Sequence, residues 1–506
     1  MILSTSARPA DSTTHDADAL LASLQTMHFQ QYINGQWLDA ANGQTWDVRD
    51  PATQAIVATV PFGNATDARA ALEAASAAFP AWSARTAYDR AAILDKAAAA
   101  IREQCDALGA LMTEECGKPF AEARGEWLAS ADLFEWFAEE GKRAYGRTVP
   151  SRRANKRVIV LHQPVGVVAT ITAWNFPAWL LARAWGAALA AGCTVVGRAS
   201  ELTPLSAMAL TNILADAGIP PGVLNLVNGE PDTMGAEFLS NPICRKIAFT
   251  GSTRVGRLLM RGASENITRL SLELGGSAPV LVFPDVDLDA VAKQTVMSKF
   301  RNNGQVCVAP QRFFVHHDVY EPYLDKVHAL VSQLKVGHGL DKSTSVGPLV
   351  TAAQRDKVEQ LTQDAIRHGA TVVTGGSRPN SLPDELAQGY FFQPTVLTGI
   401  TPAMRITDEE IFGPVMPISP FHSIEEALTL ANHTVYGLAA YVLTHNLDTA
   451  IRMYEGIEAG IIGINDMLPT ATEAPFGGMK QSGLEREQGS EGLAKYLETK
   501  MVSIAL

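Results

Sequence analysis

The spacing of apolar residues divides the chain into an early helical part and a later part in which strands and helices alternate. Residues 66–102 are rich in Ala with apolar positions at helical spacing, and Trp127, Ala131, Phe134 and Ala138 repeat that spacing. The stretches RVIVLHQP and GVVATITAW instead run in β-branched residues between Gly and Pro, which is typical of strands. These patterns predict helices that pack against a sheet.

Strand and helix patterns then alternate in two series. The first runs through AWGAALAA, TVVGRA, VLNLVNG and KIAFTG, and the second begins at PVLVFPD and ends at GIIGIND. Repeated strand–helix–strand units favour a mostly parallel sheet covered by helices on both faces. We therefore predict an α/β fold with two doubly wound domains and a small additional β arm.

The same patterns predict the division of the chain into parts. A polar tail without a signal-peptide pattern comes first, and two strand-like segments outside both series are suited to joining subunits by edge pairing. The predicted parts are a flexible tail (1–26), a first domain (27–144 and 163–274), a second domain (275–480), and an arm and tail (145–162 and 481–506).

Composition narrows the classes of function. The formal net charge of -12 argues against nucleic acid or an anionic membrane as a partner, because both attract basic surfaces. Five cysteines without a C-x-x-C pair suggest neither a disulfide framework nor a metal site. With no apolar run long enough to span a membrane, we expect a cytoplasmic protein.

Three residues are candidates for chemistry, and on local grounds each keeps a simpler interpretation. Cys307 in FRNNGQVCVAP is either a nucleophile or a small buried apolar residue. Glu273 in SLELGG either faces a ligand or lies at a surface turn. Asn175 in ITAWNFPAW either donates to an oxyanion at the end of a strand or starts a turn. The stretch FTGSTRVG is suited to a pyrophosphate at a helix start.

Taken in order, seven blocks resemble the aldehyde dehydrogenase superfamily from about Tyr32 to the end of the chain. They are WNFP, AALAAGCTVV, FTGSTRVG, LELGG, FRNNGQVC, EEIFGPV and PFGGMKQSG. EWFAEEGKRAYG, SKFRNNGQVCV and YLETK are most similar to the succinate-semialdehyde dehydrogenase branch and its close relatives. The resemblance implies a cofactor-binding first domain, a catalytic second domain, and a homodimer or homotetramer.

The resemblance also implies an oxidation in two stages. The Cys307 thiolate attacks the aldehyde, and Asn175 with the Cys307 backbone N–H holds the oxyanion. Hydride transfer to a nicotinamide leaves a thioester, which water activated by Glu273 hydrolyses. Relatives that pass the acyl group to coenzyme A generally lack this glutamate, so its presence favours hydrolysis. We expect the field of Arg301 and the bound cofactor to favour the thiolate.

Cofactor binding is implied at seven positions, and one pair bears on cofactor choice. Arg198 stands where the family usually has lysine and suits a 2′-phosphate, whereas Glu201 at the ribose edge would repel one. We therefore expect NAD, with NADP possible. The seven positions are Trp174, Arg198, Glu201, Gly235, Ser252, Glu410 and Phe412.

Substrate choice is implied by two arginines, Arg183 and Arg301, which in the semialdehyde branch bind the far carboxylate through paired hydrogen bonds. Thr470 replaces a serine of that branch, and Trp179 is bulkier than expected. Succinic semialdehyde is the expected substrate, while glutaric semialdehyde, another aldehyde acid or a general aldehyde stays open. Glu485 replaces a usual glycine near the expected subunit contacts.

Two other classes of function fit the sequence less well. A cysteine hydrolase would not explain EEIFGPV or FTGSTRVG, and none of the matched blocks supplies the usual histidine base. A non-catalytic structural relative would have no need of Cys307, Glu273 and Asn175.

Overall fold

A computed structural model of the chain describes residues 16–506. Of the predicted tail (1–26), residues 1–15 therefore lie outside the described residues. The strands are β1 (Gln31–Ile33), β2 (Gln36–Leu38), β3 (Thr45–Arg49), β4 (Ile56–Pro61), β5 (Arg147–Val149), β6 (Lys156–Pro164), β7 (Val167–Ile171), β8 (Thr194–Arg198), β9 (Leu224–Val227), β10 (Cys244–Thr250), β11 (Arg269–Glu273), β12 (Ala278–Val282), β13 (Pro310–His316), β14 (Thr371–Thr374), β15 (Thr395–Thr398), β16 (Val415–Phe421), β17 (Tyr436–Gly437), β18 (Ala439–Leu443), β19 (Ile461–Ile464), β20 (Met479–Lys480), β21 (Gly483–Leu484) and β22 (Leu497–Ala505).

The helices alternate with these strands over most of the chain. The α-helices are α1 (Ala17–Ala22), α2 (Ala65–Ser83), α3 (Ala87–Cys116), α4 (Phe120–Gly141), α5 (Trp179–Ala191), α6 (Pro204–Asp216), α7 (Pro231–Ser240), α8 (Thr253–Ala263), α9 (Leu288–Phe300), α10 (Tyr320–Val331), α11 (Ala352–Arg367), α12 (Ile424–Asn432), α13 (Leu447–Gly456) and α14 (Gly489–Ala494). Short 3₁₀ helices cover Arg301–Gly304, His317–Val319, Asp384–Leu386 and Arg405–Thr407.

The first sheet has eight strands in the order β2-β1-β9-β8-β7-β10-β11-β21. The strands from β9 to β11 are parallel, and antiparallel strands close both edges. Successive residues of one strand face opposite sides, so Val195 packs with helices α3–α6 and Val196 packs with α2 and α7. The two-sided burial explains why these strands read as continuous apolar runs.

Strand order in this sheet reverses between β7 and β10. The chain moves from β7 through β8 to β9 in one direction and returns on the other side of β7. Open α/β sheets bind ligands at such a reversal, beside the carboxyl ends of the strands. Asn175 follows β7 and Ser252 follows β10, so both lie at this edge.

The second sheet has seven strands in the order β14-β15-β16-β13-β12-β18-β19, parallel except for β14. Its central pair joins two segments that are distant in sequence. β12 starts shortly after Glu273, β13 starts shortly after Cys307, and Ala278 pairs with Pro310. The register of two parallel strands thus brings the Glu273 and Cys307 segments to one place.

A third, antiparallel sheet is formed by β22, β6 and β5, with Leu497 opposite Pro164 and Ala505 opposite Lys156. The predicted α/β class, with two doubly wound sheets and a small β arm, is confirmed. β21 pairs with β11 in the first sheet, so segment 481–506 also contributes outside the arm. Within residues 16–506, every helix is too short or too polar to cross a membrane.

Candidate active site

The turn before Cys307 has an unusual backbone conformation. Asn302, Asn303 and Gly304 have φ angles of 47°, 58° and 75°, in the left-handed region that Asn and Gly tolerate best. The Asn302 side chain donates to the Asn175 carbonyl at 2.8 Å, and that of Asn303 donates to the Pro348 carbonyl at 2.7 Å. These bonds fix the loop that carries Cys307.

Asn175, the predicted oxyanion donor, is buried beside this loop. Its Nδ2 donates to the Gln305 carbonyl at 3.1 Å, and its own carbonyl accepts from Lys118 Nζ at 2.7 Å. Lys118 is in turn paired with the buried Glu126. An amide carries two N–H groups, so Asn175 keeps a second donor for an oxygen bound near Cys307.

Glycines allow the Glu273 segment to approach Cys307. A Cβ built on Gly276 would lie 2.6 Å from the Cys307 carbonyl oxygen, and one on Gly477 would lie 2.8 Å from Glu273 Oε1. Both carboxylate oxygens of Glu273 are buried and make no hydrogen bond to the described residues. Burial holds the pKa of Glu273 well above its usual value, while the charge of Arg183 opposes that rise.

Cys307 is the half-buried cysteine of the chain, since Cys105, Cys116, Cys193 and Cys244 are buried. Burial raises the pKa of its thiol to about 11, and the positive charge that acts most against this rise is that of Arg183. The expectation that Arg301 and a bound cofactor favour the thiolate stays a prediction. The Arg301 guanidinium lies 5.5 Å from the centre of the Phe176 ring.

Three of the seven cofactor positions lie next to this centre. The rings of Trp174 and Phe412 meet edge to face at 5.5 Å. Glu410 accepts a hydrogen bond from the Gly276 backbone N–H at 3.0 Å, and burial raises its pKa to about 7. The charge of Glu410 also raises the thiol pKa of Cys307.

The other cofactor positions lie along the carboxyl edge of the first sheet. Arg198 Nη2 binds Glu201 at 2.6 Å and the Gly229 carbonyl at 2.9 Å, while its buried Nε lacks a hydrogen-bond partner among the described residues. Ser252 caps α8, whose first N–H groups suit a pyrophosphate. Gly235 lies in α7 with nothing within 4 Å of an added Cβ in the part of the chain described. A buried free donor and a helix start fit a dinucleotide here.

Of the predicted substrate residues, Arg301 and Thr470 line one small cavity together with Tyr441. Within the described chain, the Arg301 guanidinium makes no hydrogen bond or ion pair, so its fork of donors stays available.

Arg183 lies on the other side of an aromatic pair. The Phe176 ring, which Arg301 contacts, packs 6.2 Å from that of Trp179, and Arg183 lies 4.8 Å from Trp179. The side chain of Arg183 is buried, and its Nε is ion-paired with Glu487. Sequence reasoning missed Glu487, because nothing in the spacing of its segment points to a residue in α5.

Comparisons with known proteins agree with this geometry. The aldehyde dehydrogenase family model matches residues 37–502. The chain is 46% identical over 477 residues to an Escherichia coli succinate-semialdehyde dehydrogenase [NADP(+)], covering 94% of this chain and 98% of that protein. It is 44% identical over 486 residues to a Pseudomonas putida glutarate-semialdehyde dehydrogenase, covering 96% of this chain and 100% of that protein.

A solved structure is similar over the same length. The crystal structure of betaine aldehyde dehydrogenase from Staphylococcus aureus in complex with NAD+ superposes with a TM-score of 0.94 at 34% identity, covering 97% of each chain. A match of this extent includes both sheets and the segments of Cys307, Glu273 and Asn175. The chain therefore belongs to the aldehyde dehydrogenase family.

Proposed function

We propose that the protein catalyses the NAD(P)-dependent oxidation of an aldehyde that bears a distant carboxylate, with succinic semialdehyde as the substrate and succinate as the product. The observation that carries this proposal is the available guanidinium of Arg301, which shares a cavity with Thr470 beside the Cys307 loop. Glutaric semialdehyde is the second candidate, since relatives named for each substrate resemble the chain almost equally.

The proposed first stage uses Cys307 and Asn175. The thiol proton leaves to solvent first, because only a thiolate is strongly nucleophilic. The sulfur then forms a bond to the aldehyde carbon while the carbonyl becomes an oxyanion. The free N–H of the Asn175 amide and the Cys307 backbone N–H donate to that oxygen.

The proposed second stage uses Glu273. A bound nicotinamide cofactor supplies the hydride acceptor, and the acyl group then remains on Cys307 as a thioester. Glu273 removes a proton from a water molecule, which attacks the thioester carbon, and the carbon–sulfur bond breaks to release the acid. The raised pKa of Glu273 suits this step, because a more basic carboxylate takes up a proton from water more readily.

We infer that Trp174, Phe412 and Glu410 hold the nicotinamide end of the cofactor, while the other four predicted cofactor positions hold the adenosine and phosphates. Arg198 neutralises Glu201 in this structure, which weakens the repulsion that the acid would exert on a 2′-phosphate. We therefore propose that the cofactor is NAD and that NADP is also accepted. A comparison of kcat/KM for the two cofactors tests this proposal. The four positions inferred to hold the adenosine and phosphates are Arg198, Glu201, Gly235 and Ser252.

The test of substrate class compares succinic semialdehyde with butanal, which has the same number of carbons and lacks the carboxylate. A hydrogen bond to a charged group contributes about 1.5–3 kcal/mol, so Arg301→Met should lower kcat/KM for succinic semialdehyde by about 10- to 100-fold and leave butanal almost unchanged. Arg301→Lys keeps the positive charge but lacks the paired donors of the guanidinium. Its kcat/KM for succinic semialdehyde should therefore lie between the values of the wild type and Arg301→Met. Arg367→Ala, on the exposed face of α11, is the matched control.

The proposal of a carboxylate-bearing substrate fails if the wild-type enzyme uses both aldehydes equally well, or if Arg301→Met weakens both to the same extent. The same comparison between glutaric semialdehyde and pentanal decides chain length. A higher kcat/KM for glutaric semialdehyde than for succinic semialdehyde would replace the first candidate with the second.

We infer further that the protein forms a homodimer or homotetramer. Each subunit would consist of the two predicted domains, and the predicted arm would join the subunits. The third sheet exposes Leu161, Met501 and Ile504, and α8 exposes Leu258 and Met260. Such surfaces favour contact with a second copy. Light scattering of the wild type and of Met501→Lys tests this assembly. A wild-type protein that is monomeric in solution would refute it. A cytoplasmic location stays a prediction from composition.

A further inference from the structure

A cluster of charged side chains lies behind Glu273, where β11, β21 and the end of α14 meet. It holds more cations than carboxylates, which is unusual so close to a buried general base. Most of its side chains are almost fully buried, with exposed fractions of 5% for Lys495 and 4% for Glu487. The members are Glu273, Glu485, Glu487, Arg183, Lys246, Arg486 and Lys495.

Glu487 is held by two cations from opposite parts of the chain. Its Oε1 accepts from Lys495 Nζ at 2.8 Å, and its Oε2 is ion-paired with Arg183 Nε. Lys495 directly follows α14, and its ammonium also lies 5.2 Å from the centre of the Tyr496 ring. Because Arg183 and Lys495 share the Glu487 carboxylate, neither has its positive charge fully neutralised by it.

The other lysine of the cluster has a different partner. Lys246 Nζ donates to Glu485 at 2.7 Å, and Ser271 Oγ donates to the same carboxylate. Glu485 and Lys246 therefore form a pair of their own, and Lys495 is the lysine hydrogen-bonded to Glu487.

Arg183 connects this cluster to the reacting groups. Its charge acts on both Glu273 and Cys307, and its buried Nη1 makes no hydrogen bond to the described residues. Without Lys495, Glu487 would keep Arg183 as its ion-pair partner, with the charge of Lys246 also acting on it. Less of the positive charge of Arg183 would then be felt by Glu273, and the negative charge of Glu487 would oppose its ionisation.

We infer that Lys495 is a positioning residue for thioester hydrolysis that acts on Glu273 by its own positive charge and through Glu487 and Arg183. The inference rests on the proposed role of Glu273 as the base. Lys495 touches neither substrate nor the reacting atoms in this scheme, and its effect is to keep Arg183 available and Glu487 neutralised.

The pH dependence of hydrolysis follows from the groups that face Glu273. Arg183 comes from α5, Glu487 and Arg486 from the segment after β21, and Lys495 from the end of α14. Glu273 acts as a base only when deprotonated, so the rate of hydrolysis rises with pH through its pKa. Removal of a nearby positive charge moves that rise to higher pH, by about one unit for a charge of this kind.

The experiment measures decay of the acyl-enzyme directly. Enzyme loaded with NAD+ and succinic semialdehyde is quenched with acid at intervals between pH 6 and 10, and the acylated fraction is read from the intact mass. We expect Lys495→Met still to form acyl-enzyme and to shift the rise of hydrolysis upward by about one pH unit. On the rising part of the wild-type profile, its hydrolysis should be about tenfold slower at the same pH.

Two variants serve as matched controls. Lys495→Arg keeps the charge, and Lys500→Met removes an exposed lysine of β22, so both should follow the wild-type profile. If Lys495→Met is recovered unfolded, Lys495→Gln replaces it, because an amide still donates to Glu487 without a charge.

The outcomes separate the inference from the proposed function. A profile of Lys495→Met that matches the wild type, or one lowered equally at every pH, would overturn the role of Lys495 while Glu273→Gln still blocks hydrolysis. Normal hydrolysis in Glu273→Gln would instead overturn the proposed function itself.

Discussion

Gly276→Ala tests whether the Glu273 and Cys307 segments are held in contact. The added Cβ would lie 2.6 Å from the Cys307 carbonyl oxygen, and contacts below 3.0 Å are essentially absent between real Cβ atoms and their neighbours. The carbonyl of Cys307 must therefore retreat by about 0.4 to 0.8 Å to reach an ordinary contact. Leu438 Cβ lies 3.3 Å from the same added Cβ, so a second neighbour crowds the methyl group.

The magnitude follows from how sharply reaction rates depend on position. A displacement of about 1 Å can cost about 100-fold in rate, so we expect kcat/KM to fall by about 10- to 100-fold. Overpacking of a buried site also destabilises by about 1–3 kcal/mol. Gly276→Ala keeps the backbone N–H that donates to Glu410, so the loss would come from the steric contact.

The assay is kcat/KM for succinic semialdehyde, with thermal unfolding measured on the same samples. Gly125→Ala is the matched control, because nothing described lies within 4 Å of its added Cβ on the exposed face of α4. It should keep full activity and gain up to about 1 kcal/mol from higher helix propensity. Wild-type kcat/KM in a folded Gly276→Ala variant would refute the contact between the two segments.

Three further predictions concern the same centre. Alkylation of Cys307 by iodoacetamide in the cofactor-free enzyme should accelerate with pH up to about 11. In Arg183→Met, this rise in rate should move to still higher pH. A rate that levels off near pH 8 would contradict the raised thiol pKa. Glu273→Gln should retain a first-turnover burst of NADH, but its steady-state rate should fall by about 10²- to 10⁴-fold; absence of the burst would mean that Glu273 is also required before hydride transfer. Lys118→Met leaves the buried carboxylate of Glu126 without its cation and should cost about 3–5 kcal/mol in urea unfolding, and a cost below 1 kcal/mol would argue against the buried pair.

The sheets were predictable from the sequence, and the candidate reacting residues could be proposed from it. β-Branched runs between Gly and Pro gave the strands, and seven ordered blocks located Cys307, Glu273 and Asn175 through resemblance. The convergence of Cys307 and Glu273 was not available from spacing, because it depends on the pairing of β12 with β13. Pairing between distant strands is a property of the tertiary fold and leaves no local periodicity.

The ion-pair partners of the charged residues could not be predicted from the sequence either. Lys246 and Glu485 are 239 positions apart, and nothing in the sequence pairs them. Glu485 has a φ of 68°, which explains why glycine is usual there, and its carboxylate binds Lys246 and Ser271. The Glu485 side chain is thus held by contacts within the chain.

The two arginines that sequence reasoning treated as one clamp occupy different electrostatic settings. Arg301 has no ion-pair partner within residues 16–506, so a substrate carboxylate would meet a free fork of donors there. Arg183 already balances Glu487, and its charge lowers the pKa of both Cys307 and Glu273. A carboxylate bound fully to Arg183 would cancel that charge and raise both pKa values further. We therefore propose Arg301 as the main carboxylate ligand and Arg183 as the charge that favours ionisation of Cys307 and Glu273.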